Sequence, residues 1–258
     1  MDLQLHEKKA LVTGSTAGIG FAIASSLAAE GAKVIVNGRT QARVDAAVAR
    51  VPGAVGLAAD LGTAAGVAQA VTRFPDVDIL INNLGIFEPK PFDAIDDAGW
   101  LRFFEVNVLS GVRLSRHYLP RMKSAGWGRI VFISSESAVQ IPAEMIHYGM
   151  TKTAQLAISR GLAETTAGTG VTVNTVLPGP TASEGVGDFV ERLAHDQATD
   201  RATVEKQFFE TMRPSSLLRR FATPAEVAAM VTYIASPLAA ATNGAALRVD
   251  GGIVRSIL

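Results

Sequence analysis

The sequence predicts an α/β fold: a doubly wound parallel sheet of about seven strands, one domain over residues 1–258, with a small helical lid over 181–222. Three observations predict it. Short apolar runs alternate with longer stretches of helical character, the rhythm of right-handed strand–helix crossovers. Most of the runs are continuously apolar, as in strands covered on both faces. A glycine-rich turn, TGSTAGIG (13–20), stands between the first run and the first helical stretch, the place where such folds hold a pyrophosphate.

In chain order the strands are KALVT (9–13), KVIVN (33–37), AVGLAA (54–59), DILIN (78–82), RIVFIS (129–134), VTVNTVL (171–177) and AALRVD (245–250). Helices are expected at 18–30, 40–51, 62–73, 96–124, 146–166 and 223–235. The last opens TPAE, with Thr223 as N-cap, Pro224 at the first helical position and Glu226 closing a capping box. Segment 181–222 breaks the rhythm. It is long and more polar, with charged helical pieces such as VGDFVERLAHDQ. A chain of this length allows one large domain or two small ones, and no linker, internal repeat or low-complexity segment divides it.

Composition removes several classes of function. There is no cysteine, which excludes disulfides, thiolate nucleophiles and cysteine metal sites. Four histidines, none at helical ligand spacing, predict no metal site. A formal net charge of zero without a basic run predicts no nucleic-acid partner. The longest uncharged run, 227–247, contains Pro237, Asn243 and Gly244, so no membrane span is expected. The opening MDLQLHEKKA lacks an apolar h-region and does not read as a secretory signal, so a cytoplasmic protein is expected.

Four motifs carry chemistry. In HYGMTK (147–152), Tyr148 and Lys152 are four apart and share a helix face. An ammonium beside a phenol favours the phenolate and predicts a pKa lowered from about 10 toward neutrality. Such a group can donate or accept a proton at pH 7. A surface turn with a stray tyrosine is the plain alternative. In TGSTAGIG, Gly14, Gly18 and Gly20 allow a tight turn that approaches a pyrophosphate at a helix N-terminus, or simply a structural turn. Asp60 ends the third strand, as an acceptor for an adenine amino group or as a helix N-cap. NNLG (82–85) ends the fourth strand, as a cofactor wall or an ordinary turn.

TGSTAGIG, NNLG, ISSES, YGMTK and LPGPT occur in this order and at these separations. Through them the chain resembles the short-chain dehydrogenase/reductase family over essentially its whole length. The resemblance implies a Rossmann-type domain, a nicotinamide dinucleotide and hydride transfer to or from a carbonyl or alcohol carbon. It implies that Tyr148 is the acid/base, and that Lys152 makes its proton mobile and holds the nicotinamide ribose. Ser135, thirteen residues before Tyr148 and flanked by Ser134 and Ser137, would hydrogen-bond the substrate oxygen. Asn107, in FFEVNVLSG, matches the residue that anchors a relay water. Its other reading is a mid-helix amide bonding a backbone carbonyl. The implied cofactor contacts are Gly14, Ser15, Thr16, Gly18, Ile19, Gly20, Asp60, Leu61, Asn83, Gly85, Tyr148 and Lys152. Pro178, Gly179 and Thr181 are expected beside the nicotinamide. Leu84 and Met150 stand where the family usually has small residues.

After the second strand the chain reads VIVNGRT. NAD-preferring relatives usually carry an acidic residue twenty positions beyond the second motif glycine. Here that position is Gly38, followed by Arg39. A guanidinium suits a 2′-phosphate, and Ser15, Thr16 and Thr40 offer hydroxyl donors. NADP(H) is therefore expected, with NAD(H) as the alternative if Arg39 stacks on adenine instead. The leading function is an alcohol dehydrogenase or carbonyl reductase acting on a ketone or secondary alcohol. The alternatives are a 3-oxoacyl-carrier-protein reductase, whose acidic partner would need more than Arg219 and Arg220, and a non-catalytic dinucleotide-binding regulator. A homo-oligomer, tetramer or dimer, is expected through helices 96–124 and 146–166 and the terminal LRVDGGIVRS. Specificity is assigned to 181–222 and to an apolar set, Phe87, Val139, Ile141, Met145, Phe189 and Phe208. These side chains suit a hydrophobic substrate or else pack the lid.

Overall fold

The computed structural model describes residues 2–196 and 199–257. Seven strands form one sheet: β1 (Lys9–Val12), β2 (Lys33–Gly38), β3 (Val55–Ala58), β4 (Ile79–Asn82), β5 (Gly128–Ile133), β6 (Val171–Pro178) and β7 (Ala246–Val249). Their order is β3-β2-β1-β4-β5-β6-β7, and every pairing is parallel. Helices α1 (Gly18–Ala29), α2 (Gln41–Val48), α3 (Ala64–Arg73), α4 (Asp97–Phe104), α5 (Ser110–Ala125) and α6 (Ile146–Glu164) follow successive strands. Helices α7 (Glu184–Asp196) and α8 (Arg201–Gln207) form the lid, and α9 (Pro224–Ile234) precedes β7. The order of strands reverses between β1 and β4, so their carboxyl ends flank a crevice.

Both faces of the sheet are covered, which explains why the strands read as unbroken apolar runs. Successive residues feed opposite cores. Val12, Val34, Val36, Ile79, Ile81, Val131 and Ile133 pack with Ile23 and Leu27 of α1 and Val227 and Val231 of α9. Leu11, Ile35, Leu80, Ile130 and Phe132 pack on the other side with Leu114, Tyr118 and Met122 of α5.

The predicted helix 96–124 is present as an unbroken helical run, but it is not α-helical throughout. A π-helical turn, Glu105–Leu109, separates α4 from α5 and carries Asn107. Such one-turn widenings have no propensity signal of their own and occur often at functional sites. α6 stops at Glu164 because the Thr165 and Thr166 hydroxyls donate to the carbonyls of Leu162 and Ala163. α3 starts after Thr63, whose hydroxyl accepts from the Gly66 amide at 3.0 Å.

The α9 start is as the sequence predicts. The Thr223 hydroxyl accepts from the Glu226 amide at 3.2 Å, and the Glu226 carboxylate accepts from the Thr223 amide at 2.7 Å. Arg220 pairs with the same carboxylate and, with the cap, pulls its pKa down to about 2. Removing the cap with Thr223→Ala costs about 1 kcal/mol. A calorimetric Tm lower by about 2–4 °C is expected; an unchanged Tm would show that the box contributes nothing.

Candidate functional site

The site is built where β1, β4, β5 and β6 end. Gly14 (φ 60°) and Gly18 (φ 56°) take left-handed backbone. A Cβ on Gly20 would stand 2.5 Å from Asn83 Nδ2 and from the Gly14 carbonyl oxygen. The first turn of α1 holds no acidic residue, and Ala17 supplies no side-chain cap. Its leading N–H groups thus form a narrow, uncapped cradle that fits a pyrophosphate.

Three polar side chains brace this turn. Asn37 Oδ1 accepts from the Gly14 amide at 3.1 Å, and its Nδ2 donates to the Leu57 and Ala59 carbonyls. Asn83 Nδ2 donates to the carbonyls of Thr13 and Gly14 at 2.9 and 3.1 Å. Thr13 Oγ1 accepts from the amides of Asn83 and Leu84. Asn83 therefore holds the cradle rather than presenting its amide to a ligand.

The Ser15 hydroxyl, expected as a phosphate donor, is engaged within the turn. Its side chain is fully buried, its hydroxyl donates to the Val12 carbonyl at 2.7 Å, and its oxygen accepts from the Asn37 amide. It is spent on the turn itself. Arg39 is exposed at the end of β2, and among the described residues it enters no ion pair. Thr16 lies beside it, since a Cβ on Gly38 would sit 2.5 Å from Thr16 Cγ2. Asp60 is exposed at the end of β3; its Oδ1 accepts from the Gly62 amide, and the capping role falls to Thr63. The Leu61 side chain is buried in the core.

Among the serines, Ser134 is tied to the main chain, its hydroxyl donating to the Lys152 carbonyl at 2.9 Å. Ser135 caps a short turn through the Ser137 amide and lies against the Tyr148 phenol. Lys152 is buried, with Nζ 2.9 Å from the Ile133 carbonyl, 3.4 Å from Gln155 Oε1 and 5.5 Å from the centre of the Tyr148 ring. A Cβ on Gly85 would stand 3.4 Å from this ammonium.

The lowered Tyr148 pKa expected from Lys152 is not found. Burial pushes the phenol up, and the Glu136 carboxylate adds to the rise; Ser135 and Arg213 offset it in part. Burial also pulls Lys152 down to about 8. The ammonium points to the Ile133 carbonyl, and burial is the largest cause of the phenol's rise.

Asn107 is fully engaged. Its Oδ1 accepts from the Ile86 amide at 2.7 Å, and its Nδ2 donates to the Ile86 carbonyl and to Thr151 Oγ1. Its main-chain carbonyl accepts from Gln155 Nε2 at 2.6 Å. Gln155, 2% exposed, thus bridges Asn107 and Lys152. The plain reading of Asn107, an amide bonding backbone, describes its side chain.

A cavity of about 230 Å³ opens beside Ser135 and Tyr148. Ile19, Pro178, Gly179 and Thr181 line it on the glycine-turn side. The Thr181 hydroxyl donates to the Gly179 carbonyl at 2.9 Å. Of the apolar set, Phe87, Met145 and Phe208 reach the cavity. Val139 and Ile141 are not among its lining and are about half exposed, and the Phe189 side chain lies outside the described residues. Phe208 also packs with Phe209 and Phe221, centroids 5.1–5.2 Å apart, in the lid's own small core.

Three charged residues of the lining escaped the sequence reading. Ser135 Oγ donates to Glu136 Oε2 at 2.5 Å; Glu136 Oε1 is 3.4 Å from Arg213 Nε; Arg213 Nη1 is 3.2 Å from Glu144 Oε1. Glu136 and Arg213 are 5% and 8% exposed. The signal in hand was a glutamate inside a buried-strand motif, SSES; nothing local pairs it with an arginine 77 residues later.

The profile described as "Enoyl-(Acyl carrier protein) reductase" matches residues 14–254. The chain is 50% identical, over all of both chains, to "Uncharacterized oxidoreductase YvaG" of Bacillus subtilis (strain 168). It is 34% identical to the D-beta-hydroxybutyrate dehydrogenase of Cupriavidus necator, covering 97% of this chain and 99% of that one. The L-sorbose reductase of Gluconobacter frateurii, solved with NADPH and L-sorbose, superposes with a TM-score of 0.93 at 29% identity over all of both chains. The matched span and the full-length identity place the chain in a family of NAD(P)-dependent oxidoreductases: it belongs to the short-chain dehydrogenases/reductases.

Proposed function

We propose that the protein is a carbonyl reductase or alcohol dehydrogenase in which Tyr148 exchanges the proton and Lys152 holds the cofactor. One observation carries this reading: the Tyr148 phenol and Ser135 hydroxyl face one cavity, with the Lys152 ammonium behind the phenol ring. A bound nicotinamide supplies the hydride to a carbonyl carbon or takes it from an alcohol. Tyr148 gives its proton to the carbonyl oxygen in reduction and recovers it in oxidation. Its raised pKa keeps the phenol protonated at neutral pH, the form that reduction uses. Ser135 orients the substrate oxygen, and Lys152 places its remaining N–H toward the ribose. The uncapped start of α1 takes the pyrophosphate, Asp60 the adenine, and Pro178, Gly179 and Thr181 the nicotinamide side. Of the two arginines considered for a carrier's acidic face, Arg220 pairs with Glu226 and Arg219 Nη1 donates to the Phe209 carbonyl.

Tyr148→Phe is expected to keep the fold and the cofactor affinity and to lower turnover of ketones by about two to four orders of magnitude. Retention of most of the activity in steady-state assays would remove the assigned acid.

Lys152 is charged below about pH 8 and neutral above it. If the ammonium holds the ribose, cofactor Kd rises above that pH by up to about tenfold per unit. In Lys152→Met, binding is expected to be weaker and independent of pH in this range. Fluorescence titration of the cofactor across pH 6–10 (about that range) checks both; a flat wild-type profile would dismiss the role.

NADP(H) is proposed as the preferred cofactor, with Arg39 on the 2′-phosphate. The exposed guanidinium supports this, together with the absence of a carboxylate at Gly38. Arg39→Ala is expected to shift the kcat/KM ratio of NADPH to NADH by about tenfold or more toward NADH. A ratio unchanged by the substitution would leave cofactor choice to other groups.

A further inference from the structure

The charges around the cavity point to the class of substrate, and this inference rests on the reading of the same site as a hydride-transfer site. Among the described residues lining the cavity, two carboxylates, Glu136 and Glu144, face one guanidinium, Arg213. Lys152 is not among that lining; its ammonium is bound to the Ile133 carbonyl behind the Tyr148 ring. The wall beside the reacting groups therefore carries a net negative charge.

Arg213 is already shared between two carboxylates, with three of its five N–H donors given to described residues. Its Nε serves Glu136, and its Nη1 serves Glu144 and the Met212 carbonyl. A carboxylate approaching the guanidinium would meet Glu136 and Glu144 already beside it. Glu136 is one hydrogen bond from the serine assigned to the substrate oxygen, so its charge acts at the reacting centre, where burial weakens screening. Carboxylates only accept hydrogen bonds. Only one oxygen of Glu144 receives a bond from the described residues, which leaves an acceptor for a substrate hydroxyl. In the same lining, Phe87, Met145 and Phe208 offer C–H and ring surface to a carbon chain.

We propose that this cavity selects uncharged, hydroxyl-bearing ketones and their alcohols and rejects carboxylate-bearing ones, with Glu136 as the selecting residue and Glu144 as a hydroxyl acceptor. Arg213, reaching in from the lid, keeps the two carboxylates together.

Hydroxyacetone and pyruvate form a matched pair: the same methyl ketone ends in a hydroxymethyl group in one and a carboxylate in the other. Their Kd values are to be measured by ligand-observed NMR on the wild-type protein saturated with NADP+, at fixed ionic strength. With oxidised cofactor no ketone can be reduced, so the measurement reads selection apart from the reaction. Hydroxyacetone is expected to bind about tenfold or more tightly. Glu136→Gln should shrink that ratio by about tenfold; Glu144→Gln, at the cavity rim, should shrink it less and weaken hydroxyacetone itself. If Glu136→Gln fails to fold by circular dichroism, the Glu144→Gln result decides. Pyruvate binding as tightly as hydroxyacetone, no binding of either, or a ratio unmoved by both variants would each overturn the proposal. Failure of the Tyr148 assignment shows separately, as turnover that survives Tyr148→Phe.

Discussion

The crevice between the carboxyl ends of β1 and β4 is the constraint on which the rest depends. Parallel strands that part company leave main-chain groups at their ends, and buried ones must be paired. Thr13, Asn37 and Asn83 do this, each bonding main chain of the turn after β1 or of a neighbouring strand end. The same bonds press the turn so close to Asn83 that only glycine fits at position 20. The cradle at the start of α1 is thus a consequence of satisfying the sheet, and the groups left over are the uncapped helix N–H groups.

A second set of bonds orders the end that carries Tyr148 and Lys152. Ser134 holds the Lys152 main chain, Ile133 holds its ammonium, and Gln155 links it to the π-turn carrying Asn107. The chain from β5 through α6 is locked at several points, so the Tyr148 phenol and the Ser135 hydroxyl are held without freedom of the backbone. Burial then acts in opposite directions on the two titrating groups, up for the phenol and down for the ammonium. Helical spacing predicted their proximity correctly. It misjudged the sign of the phenol's shift, because burial dominates there and the Glu136 carboxylate adds to the rise.

Arg213 joins the lid to this end. It bonds Glu136, one residue from Ser135, and Glu144, just before α6, while Phe208 lies 5.7 Å beneath its guanidinium. The lid has its own apolar cluster of Phe208, Phe209 and Phe221, so it packs as a unit and contributes one charged side chain to the wall of the cavity.

Much of this was legible in the residues alone, because it depends on neighbours in the chain. The apolar strand runs, the glycine turn, the capping box at Thr223 and the one-turn spacing of Tyr148 and Lys152 are local patterns, and each lies where it was read. Tertiary contact decided the rest. Ser15 looked like a free hydroxyl until Val12 and Asn37 closed on it. The partners of Asn107, which are Ile86, Thr151 and Gln155, come from other segments of the chain. The Glu136–Arg213–Glu144 array joins residues 69 and 77 positions apart. Hydrogen-bond capacity and net charge are properties of a place, summed over every chain segment that reaches it, and only the folded arrangement brings those segments together.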